Sequence, residues 1–170
     1  MSSLPHTTRP IGQTFPMFNK CRQSGATIVE MAIVMPVFLF LLLALVEFGT
    51  MFFVTLTMQY AVREGARYAI TGQRNLDPNT ASRQRYAAVI EKIRDSSFGM
   101  YAKVTPVISV NGTSYKPSGY SDAMFGSAGS IIVLRLDCSW TVTTPLISQV
   151  FTDGKYRFAV AATMRNEYFE

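Results

Sequence analysis

The 170-residue sequence has few of the residues from which metal sites and hydrolytic active sites are usually built. It contains one histidine, His6, and two cysteines, Cys21 and Cys138. Because no histidine follows residue 6, a metal centre or a His-based catalytic triad is not expected in the remainder. A phosphate-binding glycine loop is also absent. We therefore predict no catalytic residues, no metal and no cofactor.

Acidic residues are absent from the first 25 positions, which hold Arg9, Lys20 and Arg22. The chain carries a net charge of +5, and residues 26–170 alone hold 13 basic against 11 acidic residues. This distribution favours a membrane-facing leader or a solvated surface over nucleic-acid binding. Residues 1–19 are rich in Ser, Thr, Pro and Gln without apolar periodicity, which predicts a disordered tail.

Charge is also absent from the 16 residues Met31–Val46, which lie between Glu30 and Glu47. As a helix this stretch covers roughly 24 Å, less than the ~30 Å hydrocarbon core of a bilayer. A spanning helix must extend past one of the acids, so at least one of them lies in or at the edge of the membrane. A cleaved secretory signal peptide fits poorly, because the run is long and no small-x-small site follows it.

The basic residues Lys20 and Arg22 precede the apolar run, which predicts a cytoplasmic N-terminal side and an exported C-terminal part. A membrane between Cys21 and Cys138 excludes a disulfide between them.

Helical periodicity continues beyond the apolar run and predicts one helix from about residue 26 to 71, with Gly72 as its C-cap. Its second half is predicted to be amphipathic. The expected apolar face consists of Phe52, Phe53, Leu56 and Tyr60, and the polar face of Thr57, Gln59, Arg63 and Arg67. Small residues mark a close-packing face, for which the chain's own sheet is favoured over another subunit. These are Ala61, Gly65, Ala66 and Ala69.

The next segment predicts a second, amphipathic helix of about 18 residues that opens at Asp77-Pro78 and ends near Gly99. We interpret its arginines as a solvated face in preference to a phosphate-binding one. From Tyr101 to Val110 the period of two predicts a strand, and Pro106 within it favours a sheet edge. Asn111-Gly112 predicts a hairpin turn into a short strand over Thr113–Lys116, followed by a loop over 117–130.

Two long strands with clean alternation complete the pattern. The predicted inward residues of the first are Ile132, Leu134, Leu136, Cys138, Trp140 and Val142. Those of the second are Tyr156, Phe158, Val160, Ala162 and Met164. Cys138 is interpreted as a small buried hydrophobe. The sequence predicts an α+β fold in which a long N-terminal transmembrane and amphipathic helix packs on a small antiparallel sheet, together with a second helix.

The outline of a long helix and a small α+β head is pilin-like, and two sequence stretches support a specific family. Gly25-Ala26-Thr27-Ile28-Val29-Glu30 resembles a prepilin cleavage site, which is cut after Gly and leaves Glu as the fifth residue. GATIVEMAIVMPVFLFLLLALVEFG, followed by AVREGARYA, resembles the TadE-like minor pilins or pseudopilins of the tight-adherence (Flp-type) pilus. The ending Met164-Arg165-Asn166-Glu167 is also similar to that family, whereas Met31 stands where the family more often has an aromatic residue.

The resemblance implies three segments: a cytoplasmic leader over 1–25 that is removed, a transmembrane helix over 26–56 and an exported head over 57–170. Cleavage creates an α-amino group at Ala26, and Glu30 lies one helical turn from it. The two charges attract strongly in lipid, within one chain or between subunits.

The second acid, Glu47, has two interpretations: pairing with Arg63 of a staggered neighbour, or a position at the outer membrane interface, which is favoured. Arg63 and Arg67 lie four residues apart on one helix face and are expected to contact lipid headgroups.

The leading functional hypothesis is a structural one, a minor pilin or pseudopilin assembled into, or at the base or tip of, a tight-adherence pilus. The implied partners are a prepilin peptidase, other pilins, the inner-membrane assembly platform and the lipid bilayer, at the bacterial inner membrane or in the surface pilus. The alternative is an unprocessed single-span anchor with an exported binding or sensor domain. An exported enzyme is the least favoured.

Overall fold

A computed structural model of the chain describes residues 24–168, without the side chains of Ser24 and Ala26. The described residues form two compact units, one ending at Phe38 and the other beginning at Leu39. The predicted α+β class is confirmed. The elements are helix α1 (Ser24–Ile70), helix α2 (Arg85–Ser96), helix α3 (Met100–Val104), strand β1 (Val107–Val110), strand β2 (Thr113–Tyr115), strand β3 (Ile131–Thr141), helix α4 (Pro145–Ser148) and strand β4 (Lys155–Arg165).

Helix α1 ends where the sequence predicts. Gly72 has a φ of +68°, a conformation that glycine adopts without steric cost. Its N–H donates to the carbonyl of Ala69, and the N–H of Thr71 donates to that of Tyr68. The predicted glycine C-cap is confirmed.

The face of α1 that packs on the sheet differs from the predicted apolar face. Phe52, Phe53, Leu56 and Tyr60 are each at least half exposed. The buried stripe instead consists of small and flexible side chains at helical spacing. These are Met51, Val54, Met58, Ala61, Val62, Ala66 and Ala69. Small side chains let a helix backbone approach its neighbours closely, so the large aromatic residues face outward. The preference for the chain's own sheet over another subunit, drawn from the small residues, is confirmed.

The sheet has four antiparallel strands in the order β2-β1-β3-β4. Asn111 and Gly112 both have positive φ angles, 51° and 82°, as the predicted hairpin turn requires. β1 is an interior strand, so the prediction of an edge position was wrong. Pro106 precedes β1, and its missing N–H therefore lies outside the ladder.

Strands β3 and β4 pair along their full lengths, from Ile131 opposite Arg165 to Thr141 opposite Lys155. The predicted inward residues of both strands are buried or half-buried, and Cys138 is 3% exposed. β4 is an edge strand, and the Gln59 side chain of α1 donates to its Ala161 carbonyl over 2.9 Å. The sheet therefore has one covered face, as the alternation predicts.

The second helix begins later than predicted. α2 starts at Arg85, and the Asp77 carboxylate accepts hydrogen bonds from the backbone N–H groups of Asn79 and Gln84. Asp77 thus folds a loop back onto the start of the helix instead of opening a helix itself.

The strand predicted from Tyr101 was also wrong at its start. Residues 100–104 form α3, where Val104 is fully buried without belonging to the sheet.

The segment over 117–130 is a loop, as predicted, with short 3₁₀ turns at Pro117–Gly119 and Asp122–Phe125. The sequence did not predict that this loop places side chains in the core. Phe125 is among the largest fully buried side chains, and Met124 is 4% exposed. Both pack in the main core between α1, α2 and the sheet.

A second, smaller core lies apart from the main one. Met51 of α1 packs there with Val142 and Ile147, which belong to the connection between β3 and β4. Half-buried side chains surround it: Ala44, Trp140, Phe151 and Tyr156.

Candidate functional site

The predicted processing site lies in the first turn of α1. Gly25 is exposed, and a Cβ added to it would meet no atom within 4 Å. Glu30 is exposed as well, one turn beyond Ala26. Packing among residues 24–168 therefore does not require a glycine at position 25. The predicted leader residues Lys20 and Arg22, and also Cys21, lie outside the described residues.

The apolar part of α1 is exposed along its length. Every described side chain from Thr27 to Leu43 is exposed. Within Thr27–Ile70, α1 has an 18-residue window that is long and apolar enough to cross a membrane, and none of that window is buried in the protein. Apolar surface of this extent is stable only against lipid or other apolar protein surface.

Glu47 is buried, with 7% of its surface exposed. One carboxylate oxygen, Oε1, accepts the backbone N–H of Thr143 over 3.0 Å. The other, Oε2, accepts the hydroxyl of Thr144 over 2.9 Å. The acid therefore ties α1 to the start of α4 within one chain.

The interactions of Glu47 were not foreseen from the sequence, although a signal for them exists. Glu47 lies four residues before Met51, at the start of the buried stripe of α1. Continuing that stripe backward by one turn places Glu47 inside the protein. Its pairing with Arg63 of a neighbour, and its place at the outer membrane interface, stay predictions.

Arg63 and Arg67 are exposed on one face of α1, the face that also carries Leu56 and Tyr60. The structure thus brings the two arginines together, as their spacing predicts, and places them away from the buried face that holds Glu47. Their contact with headgroups stays a prediction.

The prediction of a solvated arginine face on the second helix was wrong for Arg85, which belongs to a buried polar cluster at the end of α1. The guanidinium of Arg85, 3% exposed, donates from Nε and Nη2 to the carbonyl of Ala69 and from Nη1 to that of Gly126. Its Nη2 also donates to Oδ1 of Asn166 over 3.0 Å. Burial lowers the pKa of Arg85, while the nearby Asp122 carboxylate opposes this shift.

Asn166 completes this cluster. Its Nδ2 donates to the carbonyls of Phe125 and Ser127, both over 2.8 Å. The N–H of Glu167 donates to the carbonyl of Ile70, in the last turn of α1. The carbonyls that end a helix lack partners within it, and here two of them are satisfied by Arg85 and Glu167. The sequence signal was the Arg165-Asn166-Glu167 ending, for which no structural role had been assigned.

Cys138 lies on the inward face of β3, as the alternation predicts. Cys138 is buried, and burial raises the pKa of its thiol to about 12, with a smaller contribution from Asp137. Among residues 24–168, no group of three or more His, Cys, Asp or Glu side chains is arranged to hold a metal ion.

The fold and the exposed helix define a class: an α+β protein whose N-terminal helix can span a membrane. Residues 25–67, about a quarter of the chain, match the model of a family described as TadE-like protein. The resemblance seen in the sequence is thereby confirmed over that segment, which includes the apolar helix that could cross a membrane. No curated protein and no solved structure matches the chain.

Proposed function

We propose that the chain is a minor pilin or pseudopilin, cut by a prepilin peptidase between Gly25 and Ala26 and assembled into a tight-adherence pilus or at its base or tip. The observation that carries this proposal is the Gly25-to-Glu30 spacing at the point where the family match begins. In this proposal residues 1–25 are a cytoplasmic leader, and the exposed apolar run of the predicted 26–56 segment, up to Val46, spans the inner membrane. The residues from Glu47 onward, where the buried stripe of α1 begins, belong with the exported head.

The open space around Gly25 supports cleavage by the peptidase at this position. Among the residues that the structure describes, the space around its Cα is open and would accept a side chain. A glycine that packing does not require fits a requirement imposed by another protein, such as a narrow peptidase site that the backbone must enter. Gly25 lies in the first turn of α1, and the terminal turn of a helix unwinds at little cost.

Glu30 supports the assembly step by its charge. An acid at the centre of a bilayer costs about 2.5–3.5 kcal/mol on insertion scales. The α-amino group that cleavage creates at Ala26 lies about 6 Å away along the helix axis. Their attraction, within a chain or between neighbours, offsets part of this cost and favours docking of a subunit whose leader has been removed.

The exposed face of α1 beyond the apolar run supports contact with other subunits. Phe48, Phe52 and Leu56 follow one another at intervals of four residues, and each is more than half exposed. Such a row is an apolar ridge along the helix. Its partners in this proposal are the helices of other pilins and the assembly platform.

The alternative is an unprocessed membrane anchor that carries a binding head. One observation favours it: α1 begins at Ser24, so the Gly25–Ala26 bond is helical and not extended. The two functions differ in the mass of the mature chain. Intact mass spectrometry of the protein extracted from membranes should show loss of residues 1–25, whereas a full-length chain would support the anchor.

Two glycine variants test the cleavage site directly. Gly25→Leu should abolish processing, because the side chain blocks the peptidase. Gly49→Leu is the matched control: position 49 lies in the same helix and likewise has no atom within 4 Å of an added Cβ, so this variant should be processed normally. Normal processing of Gly25→Leu would refute the site.

The role of Glu30 is tested by Glu30→Leu and Glu30→Gln. Both variants should still be cut, and both should be recovered less in sheared pilus fractions, because neither offsets the new amino group. Equal recovery of wild type and variants would exclude the pairing.

A further inference from the structure

The connection between β3 and β4, residues 142–154, has an unusual surface. No charged residue occurs between Asp137 and Asp153. Two aliphatic side chains of this connection point outward: Leu146 is 61% exposed and Val150 is 80% exposed. The first charge of the connection is Asp153, near its end, so Leu146 and Val150 lie in a stretch of exposed surface without charge.

The connection contacts α1 at one position along the helix, near residues 44–51. Glu47 accepts hydrogen bonds from both Thr143 and Thr144. Ile147, from α4, packs in the small core with Met51, and Ala44 borders the same core. Ala44 belongs to the charge-free run that ends at Val46. The connection therefore lies beside the last turn of the apolar run and the first turn after it.

An apolar cleft lies between the connection and α1. Its walls are Phe48, Met51, Phe52, Thr55, Phe151 and Tyr156. Trp and Tyr are typical of the zone where hydrocarbon meets headgroups, and Tyr156 is such a residue in this cleft. The cleft continues the apolar surface of the helix onto the head.

We propose that the β3–β4 connection is a second membrane contact, in which Leu146 and Val150 enter the outer surface of the bilayer beside the spanning helix. We infer lipid as the partner of this surface because the connection packs on residues of α1 that lie in the bilayer if α1 spans it. The inference rests on that part of the proposed function. It also explains the burial of Glu47: the acid is covered by the connection at the depth where exposure to lipid would be costly.

Spin labels at single cysteines in the full chain test this contact. The background is Cys21→Ser, in which buried Cys138 stays unlabelled. Labels are placed by Leu146→Cys and Val150→Cys, in lipid nanodiscs that hold one copy each. Accessibility to oxygen, which enriches in lipid, is compared with accessibility to a water-soluble nickel chelate. Labels at 146 and 150 should favour oxygen several-fold over the nickel chelate, relative to a label in water.

The control on the head is Ile131→Cys. Ile131 is 64% exposed, much like Leu146, but begins the strand that ends at Thr141, roughly 33 Å away at 3.3 Å per residue. Its label should favour the nickel chelate. If the labels at 146 and 150 behave like the label at 131, the membrane contact is refuted. If the labels at 146 and 150 become apolar only when many copies assemble, the partner of this surface is protein and the membrane contact is refuted.

Leu42→Cys separates this inference from the proposed function. A label at 42 in lipid, with those at 146 and 150 in water, refutes the membrane contact and leaves the pilin proposal intact. A label at 42 in water refutes the span and with it both proposals.

Discussion

At the scale of single residues, Glu47 shows how an acid beside an apolar run can be held without a basic partner. Its two oxygens accept one backbone N–H and one hydroxyl. Hydrogen bonds to a charged group contribute more than neutral ones, about 1.5–3 kcal/mol each. The carboxylate thereby positions the β3–β4 connection against α1.

Replacing Glu47 should release this connection. We expect Glu47→Leu to lower the free energy of unfolding by about 3 kcal/mol or more, because the N–H of Thr143 and the hydroxyl of Thr144 lose their acceptor. Hydrogen exchange at Thr143 in detergent micelles should accelerate. Glu64→Leu, at another acid of α1, is the control and should change stability by less than about 0.5 kcal/mol. Unchanged exchange at Thr143 would contradict this role of Glu47.

Gly65 illustrates a close approach that only glycine permits. A Cβ at this position would overlap Cγ1 of Ile93 on α2. We expect Gly65→Ala to destabilise the head by about 1–3 kcal/mol, which outweighs the gain of about 0.5–1 kcal/mol from replacing a helical glycine. Denaturant midpoints measure the difference. Gly49→Ala, where space is open, should be neutral or stabilising, and a stable Gly65→Ala variant would mean that Ile93 can move aside.

At the scale of elements, the loop before α2 depends on one ionised side chain. The N–H groups of Gln84 and Asn79 hold the pKa of Asp77 below its ordinary value of 3.8. A lowered carboxyl pKa stabilises the fold above the unfolded value, and this contribution is lost as the pH falls through the folded value.

The loop over residues 73–84 should therefore stay ordered from neutral pH down to about 4 and loosen below that. Amide chemical shifts of Asn79 and Gln84 should titrate together, with a midpoint below 3.8. In the variant Asp77→Asn this transition should disappear. A midpoint above 3.8 in the wild type would show that the two hydrogen bonds do not persist in solution.

At the scale of the whole molecule, the thiol of Cys138 reports on global unfolding. It lies in the main core, and burial raises its pKa to about 12. In the Cys21→Ser variant at neutral pH, we expect labelling to proceed only at the rate at which the core opens. Adding Ile131→Cys should introduce one rapidly labelled thiol. Rapid labelling of Cys138 in the native protein would show that the core opens locally.

Much of the head's structure could be predicted because neighbouring residues in the sequence determine it. The alternation in β3 and β4 fixes their inward faces, and Asn111-Gly112 fixes a turn whose φ angles few other pairs adopt. The start of α2 could not be predicted in this way. Asp77-Pro78 has the local form of a helix start, but the Asp77 carboxylate instead accepts the N–H of Gln84, the residue before α2.

Only those residues of the candidate site that are recognised by their spacing in the sequence could be predicted. Gly25, Ala26 and Glu30 form a motif, and so could be named from the sequence. The environment of Glu47 depends on Thr143 and Thr144, almost a hundred residues away in the chain. The buried face of α1 was predicted wrongly for a related reason. Large apolar side chains usually predict burial, but α1 packs closely on the sheet through its smaller side chains.

The cluster around Arg85 has a consequence for biosynthesis. The carbonyl of Ile70 gains its partner only when Glu167 exists, and Arg85 gains the Asn166 acceptor 81 residues further along the chain. At about 5–20 residues per second, a ribosome takes roughly 4–16 s to cover that distance. Throughout this interval the apolar helix precedes an incomplete head, so side chains that will form the main core stay uncovered and prone to aggregation.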